Sequence, residues 1–149
     1  MKIFWGLLLI FFVSACGSTY SEEDRKNFDK EIQTYLDEHK IECEKSPTGL
    51  YYRIDSLGSD RKIQFSDRVT MKYVGKLING KIIDDHSNEP ITMSVRELIA
   101  AWKEILLELG EGGKAFIVAP PHLAYGDYKL DSIPENSILI YNLEVVDVE

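Results

Sequence analysis

Cysteine, histidine and excess positive charge are all scarce in this chain, and each shortage removes a class of function. Two cysteines, Cys16 and Cys43, and three histidines stand in 149 residues. So few ligands, this scattered, build no cysteine–histidine metal framework. Lys and Arg number 17 against 25 Asp and Glu, for a net charge of -8. Lys2 is the only charged residue before Cys16, so the remainder carries 16 cations against 25 anions, or -9. An acidic surface repels phosphates, which argues against a nucleic-acid partner. It also gains nothing from anionic lipid, so any hold on a membrane must come from elsewhere. No serine or cysteine sits in a recognisable nucleophile setting. Gly110-Glu-Gly-Gly113 follows a helix-like run and reads as a helix stop, not as a phosphate loop. Internal repeats and low-complexity segments are absent. A hydrophobic fraction of 44% with 28% charged residues is that of a globular domain, and the length suits one domain plus a short extension.

Long apolar runs are also missing, with one exception at the N-terminus. Ile3 to Val13 is apolar apart from Gly6, follows the lone charge of Lys2, and ends in the small pair Ser14-Ala15. That is the layout of a secretory signal and is short for a membrane span. Val13-Ser14-Ala15-Cys16 resembles the bacterial lipobox, whose cysteine is acylated and becomes the first mature residue. We therefore expect a signal peptide over residues 1–15 and a lipid anchor on Cys16, since two or three acyl chains hold a membrane stably. Cys43 is then left without a partner. A Cys16–Cys43 disulfide in an oxidising compartment is the competing reading. Gly17 is not the aspartate that retains enteric lipoproteins at the inner membrane, which points to the outer membrane, with the domain in the periplasm.

A tether and an N-terminal helix fill residues 16–48. Ser21 to Asp24 reads as an N-cap with an acidic first turn, and Phe28, Ile32, Tyr35, Leu36 and His39 fall at helical spacing, so a helix is predicted over Glu22–Lys40. Its stripe would face its own domain or a partner. From Gly49 onward the pattern is strand-like: Leu50 to Ile54, then Val69, Met71 and Tyr73 in alternation, then Asn79-Gly80 as a hairpin turn. Arg96 to Leu109 is predicted as one helix, with Leu98, Ile99, Trp102, Ile105, Leu106 and Leu109 on a broad apolar face. Ala115 to Ala119 is a short strand, Pro120 to Ser137 a long loop, and Ile138 to Val148 a final strand. Strands with a single late helix indicate an α+β domain over residues 49–149, an antiparallel sheet with a helix on one face. Asp84-Asp85-His86 is the densest polar cluster. Neighbours on a strand point to opposite faces, so the trio reads as a solvated strand end and not as a metal site.

The residues that remain are aromatic and aliphatic groups at strand ends and near prolines. Tyr73-Val-Gly75-Lys-Leu77-Ile-Asn-Gly80-Lys-Ile-Ile-Asp84 resembles a pattern of the FKBP-type peptidyl-prolyl cis-trans isomerases. Leu98-Ile99-Ala-Ala-Trp102-Lys-Glu104 is similar to that family's helix, and Ala119-Pro-Pro-His-Leu-Ala-Tyr125-Gly126 to its proline-rich loop. Ile133-Pro134-Glu-Asn136 and Leu139-Ile-Tyr141-Asn-Leu-Glu144 resemble its last loop and strand. The resemblance runs in order from Gly49 to the end, and it implies an antiparallel sheet wrapped around one short helix, preceded here by the N-terminal helix. It implies isomerisation of proline-containing polypeptides with no cofactor and no metal, by a monomer. Trp102 would be the pocket floor, and Tyr73, Ile83, Leu98, Ile99 and Tyr141 its walls. Tyr125 and the Ile99 N–H would bond the substrate carbonyl, and Asp84, bonded to a wall tyrosine, would act electrostatically. Several positions depart from the family. Ile83, Ile91 and Tyr141 stand where phenylalanine is usual, and Met93 replaces an aromatic. An isomerase assisting the folding of exported proteins is therefore expected, with a non-catalytic holdase or assembly subunit as the alternative.

Changing Cys16→Ser should abolish acylation and release the chain from membranes. Membrane fractionation of the variant checks this, and unchanged fractionation rejects the anchor.

Overall fold

Residues 19–149 are described by the computed structural model, so the signal segment and Cys16 lie outside the described residues. In chain order the elements are α1 (Glu22–His39), β1 (Glu44–Lys45), β2 (Tyr51–Ser56), β3 (Arg68–Leu77), β4 (Ile82–Asp85), β5 (Ile91–Ser94), α2 (Ala100–Leu106), β6 (Lys114–Ala119) and β7 (Leu139–Val148). Short 3-10 turns occupy Val95–Glu97 and Pro121–Leu123. None of the described helices is long and apolar enough to cross a membrane.

Alternation fixes the centre of the sheet. Val69, Met71, Tyr73 and Leu77 are buried along β3, with more exposed residues between them. That strand pairs antiparallel with β7, from Val69 opposite Val148 to Leu77 opposite Leu139. A slip of one residue would turn the whole apolar set to solvent, so the register is strongly specified. Outward from there the order is β1-β2-β6-β7-β3-β4, and β5 pairs with the first half of β3. Asn79-Gly80 does turn the β3–β4 hairpin, within the four residues 78–81 that separate the strands. The Gly80 N–H donates to the Leu77 carbonyl at 2.9 Å, and Gly80 sits at φ 87, where glycine meets no Cβ penalty.

One face of the sheet packs on α2, through the buried Ala101, Trp102, Ile105 and Leu106. The predicted helix over Arg96–Leu109 is broken. Ser94 still pairs with Arg68 of β3, and the Val95 N–H donates to the Asp67 carbonyl at 3.1 Å. The chain therefore leaves the strand through a 3-10 turn, and Leu98 and Ile99 are extended, with ψ of 160° and 156°. Sheet pairing overrides a helical periodicity that continues unbroken in the sequence.

The other face carries α1. Ser21 caps it: the Asp24 N–H donates to Ser21 Oγ at 3.1 Å, and the Ser21 N–H to Asp24 Oδ2 at 2.9 Å. Lys40, at φ 54, ends it, and the Ile41 N–H reaches back to the Leu36 carbonyl at 2.9 Å. Ile32 and Leu36 are buried against Tyr51, Phe116, Val118, Ile138 and Ile140 of the sheet and its edges. Asp29 takes hydrogen bonds from Tyr51 Oη, at 2.6 Å, and from Lys45 Nζ. The stripe thus faces its own domain and stops at Leu36. His39 is exposed and stacks on Tyr35 at 4.1 Å. The structure therefore places a helix on each face where the sequence pattern indicated one.

Because Ile32 is fully buried in the smaller of the two apolar clusters, Ile32→Ala should cost about 2–5 kcal/mol. Urea unfolding should show this as one cooperative transition at a lower midpoint. A separate early transition would mean that α1 melts independently.

Candidate active site

Between β3, β4, β5 and α2 lies a cavity of about 220 Å³, lined by Tyr73, Asp84, Met93, Glu97, Leu98, Ile99, Trp102, Tyr125 and Tyr141. Seven of the eight predicted site residues of the domain meet there. Trp102 enters from the first turn of α2, is 4% exposed, and forms the floor. Tyr73 meets it edge-on at 4.7 Å and Tyr141 at 5.0 Å, with Tyr73 and Tyr141 6.2 Å apart. Such edge-to-face pairs contribute about 0.5–1.5 kcal/mol each beyond their burial and fix the ring positions. Gly75 makes room for them. It pairs with Tyr141 across the β3–β7 ladder, and a Cβ there would stand 2.6 Å from Tyr141 Cε1. Ile83 differs from expectation: it is half-buried against the core and faces the same point above Gly75, but does not line this cavity.

Asp84 sits at the mouth, opposite Gly75 in the β3–β4 pairing. Tyr73 Oη donates to Asp84 Oδ2 at 2.5 Å, the tyrosine contact expected for this carboxylate. His86 Nε2 approaches Asp84 Oδ1 at 3.3 Å, and the His86 ring lies 5.0 Å from Tyr73. The Asp84-Asp85-His86 cluster is therefore only partly a solvated strand end. Strand alternation stops at Asp85, and His86 folds back onto Asp84. Asp85 turns away and accepts from the Ser87 N–H and hydroxyl at 3.0 and 2.7 Å.

Burial and negative neighbours make the tyrosine hydroxyls of this site weak acids. Desolvation first, then the hydrogen bond to Asp84, raises Tyr73 well above the usual phenol range. Desolvation, then the other two tyrosines and Asp84, does the same to Tyr141, and desolvation and Asp84 raise Tyr125. All three stay neutral donors at any physiological pH. The Tyr125 hydroxyl and the Ile99 N–H have no partner within the described residues. Trp102 Nε1 is buried and also unpaired. The break before α2 explains the Ile99 donor, because an extended residue ahead of a helix leaves its N–H outside the helical ladder. The site can thus enclose an apolar ring over indole and offer neutral donors to a carbonyl.

Met93, noted in the sequence only as replacing an aromatic, stands on the wall, and Glu97 and His86 belong to the site although sequence reasoning assigned them no role. Met93 faces Val69 across the β5–β3 pairing, so a strand assignment for Ile91–Ser94 would have placed it. Glu97 was hidden by the assumed helix, and His86 by the assumed strand end. Among the described residues no three His, Cys, Asp or Glu side chains converge on one point.

Known proteins share this fold and part of this sequence. The family model described as "FKBP-type peptidyl-prolyl cis-trans isomerase" matches residues 59–146. The chain is 38% identical over 108 residues to the FKBP-type peptidyl-prolyl cis-trans isomerase FkpA of Buchnera aphidicola from Schizaphis graminum, covering 70% of this chain and 43% of that one. It is 38% identical over 106 residues to FkpA of Escherichia coli K12, covering 70% of this chain and 39% of the relative. It therefore spans about two fifths of the length of these relatives. The crystal structure of E. coli FkpA superposes with a TM-score of 0.73 at 33% identity, over 86% of this chain and 62% of that one. That of AtFKBP13 gives 0.63 at 32% identity, over 72% and 98%. The match over more than half of the sequence and the likeness in fold agree: the chain belongs to the FKBP-type peptidyl-prolyl cis-trans isomerase family.

Proposed function

We propose that this protein isomerises X–Pro peptide bonds in exported polypeptides, as a monomer tethered in the cell envelope through Cys16, on the outer membrane with the domain in the periplasm. The observation that carries the activity is the pair of unpartnered donors, Tyr125 Oη and the Ile99 N–H, beside the buried Trp102 floor. A prolyl amide rotates over a barrier of about 18–20 kcal/mol because the twisted form loses resonance. Uncatalysed, that takes on the order of tens of seconds or longer. A site accelerates it by holding the twisted amide better than either planar form. The indole floor accepts the proline ring and excludes water, which would otherwise stabilise the polar planar amide. Tyr125 and the Ile99 N–H donate to the substrate carbonyl, so that one end of the bond is fixed while the other turns. Asp84, anchored by Tyr73, supplies a fixed negative charge at the mouth. No nucleophile is required.

A non-catalytic holdase would use the same cavity for binding alone. Met93 on the wall favours it, because a flexible thioether presents no flat face to a proline ring. Turnover separates the two readings. A protease-free isomerisation assay on proline tetrapeptides should detect catalysis by this chain. Tyr125→Phe deletes one hydroxyl from a half-exposed ring and should lower the rate about two- to tenfold with unchanged unfolding. Asp84→Asn keeps the shape and removes the charge, and should also lower it. If both variants keep full turnover, these roles are wrong. If the wild-type chain binds proline peptides without turnover, the holdase reading replaces the enzyme.

A further inference from the structure

His86 has both ring nitrogens against acceptors. Nδ1 lies 3.0 Å from the Glu89 carbonyl and Nε2 lies 3.3 Å from Asp84 Oδ1. A carbonyl only accepts, so Nδ1 carries a proton. With its proton on Nδ1, a neutral ring would turn the Nε2 lone pair towards the carboxylate, whereas an imidazolium would set opposite charges 3.3 Å apart. The backbone fixes the ring at this place, because the His86 N–H donates to the Tyr73 carbonyl at 2.8 Å. The ring packs on Tyr73, whose hydroxyl holds the other oxygen of Asp84. Two groups therefore share one carboxylate at the cavity mouth, the Tyr73 hydroxyl and the His86 ring.

We propose that His86 is a positioning residue for Asp84, a proton-controlled counter-charge that sets how much of the carboxylate's field reaches a bound prolyl amide. The proposal rests on the isomerase reading. Histidine changes charge between about pH 5 and 8. In acid the imidazolium draws Asp84 Oδ1 towards the β4 end and offsets its charge. As pH rises, the neutral ring keeps Nδ1–H on Glu89 and turns a lone pair on Asp84 Oδ1. The contact becomes repulsive, and the carboxylate, still held by Tyr73, recovers its field in the cavity. The groups facing His86 are Asp84 and Asp85 from β4 and Tyr73 from β3, with the Glu89 carbonyl from the following loop. None is a cation, so nothing else there takes over the counter-charge. Side-chain exposures of 28% for His86 and 47% for Asp84 limit the effect to that of a screened pair.

The test is the pH profile of kcat/KM from about pH 5.5 to 8 on the whole chain, with an uncharged alanyl-prolyl tetrapeptide. The wild-type rate should rise about two- to fivefold with pH. His86→Gln should be flat at the alkaline value and His86→Arg flat at the acid value. In parallel, the Asp84 carboxylate carbon and the Tyr73 ring signals in NMR should move through this window in the wild type and stay still in His86→Gln. A flat or acid-rising wild-type profile, a rise that survives in His86→Gln, or unmoving signals would each overturn the proposal. If the chain shows no turnover, the isomerase reading falls and the NMR signals alone decide the pair. If the variants unfold, the wild-type signals decide it.

Discussion

Everything in this molecule depends on the antiparallel ladder between β3 and β7. It runs from Val69 opposite Val148 to Leu77 opposite Leu139, with one irregularity after Thr70. Its register places Gly75 opposite Tyr141, and the absent side chain at Gly75 lets the Tyr141 ring lie over the backbone towards Trp102. The same strand presents Tyr73 to that indole and to Asp84. A site of three edge-to-face aromatics and one carboxylate is therefore assembled by two strands in one register, with α2 and β4 brought up against them. Shifting the pairing by one residue would disperse it completely.

Much of this was legible in the sequence because the two strands have a clear period of two. The cap at Ser21 and the turn at Asn79-Gly80 were equally local and equally plain. The break at Leu98–Ile99 was not, since Leu98, Ile99, Trp102, Ile105, Leu106 and Leu109 keep a helical period through it. What stops the helix is distant: β5 pairs with β3, and the Val95 N–H is tied to Asp67. The pairing of His86 with Asp84 escaped for a related reason. Strand alternation predicts opposite faces for neighbours only while the strand lasts, and β4 ends at Asp85.

The helix α1 was plain in the sequence, but what its apolar stripe packs against was visible only as an ambiguity. Along β6, Ala115 to Ala119 is apolar at every position, which a sheet covered on one face does not need. Phe116 and Val118 pack on α1, and Ala115, Ile117 and Ala119 on the main core. The strand is buried on both sides, and that continuous run was the sign that the stripe of α1 belongs to its own domain.

The N-terminal segment is joined to the site as well as to the sheet. Tyr20, four residues beyond Cys16, is 8% exposed, packs edge-on against Phe28 of α1 at 5.3 Å, and donates to Asn136 Oδ1 at 2.7 Å. Asn136 in turn donates its backbone N–H to the Gly126 carbonyl at 2.8 Å, closing the loop that carries Tyr125. A hydrogen-bonded path thus runs from Tyr20 through Asn136 to Gly126, the neighbour in sequence of Tyr125. Four residues span at most about 14 Å when extended. For an anchor at Cys16, as proposed above, that length is an upper limit on how far Tyr20 stands from the membrane surface. Tyr20 and α1 thus tie the proline-rich loop to the N-terminal side of the domain.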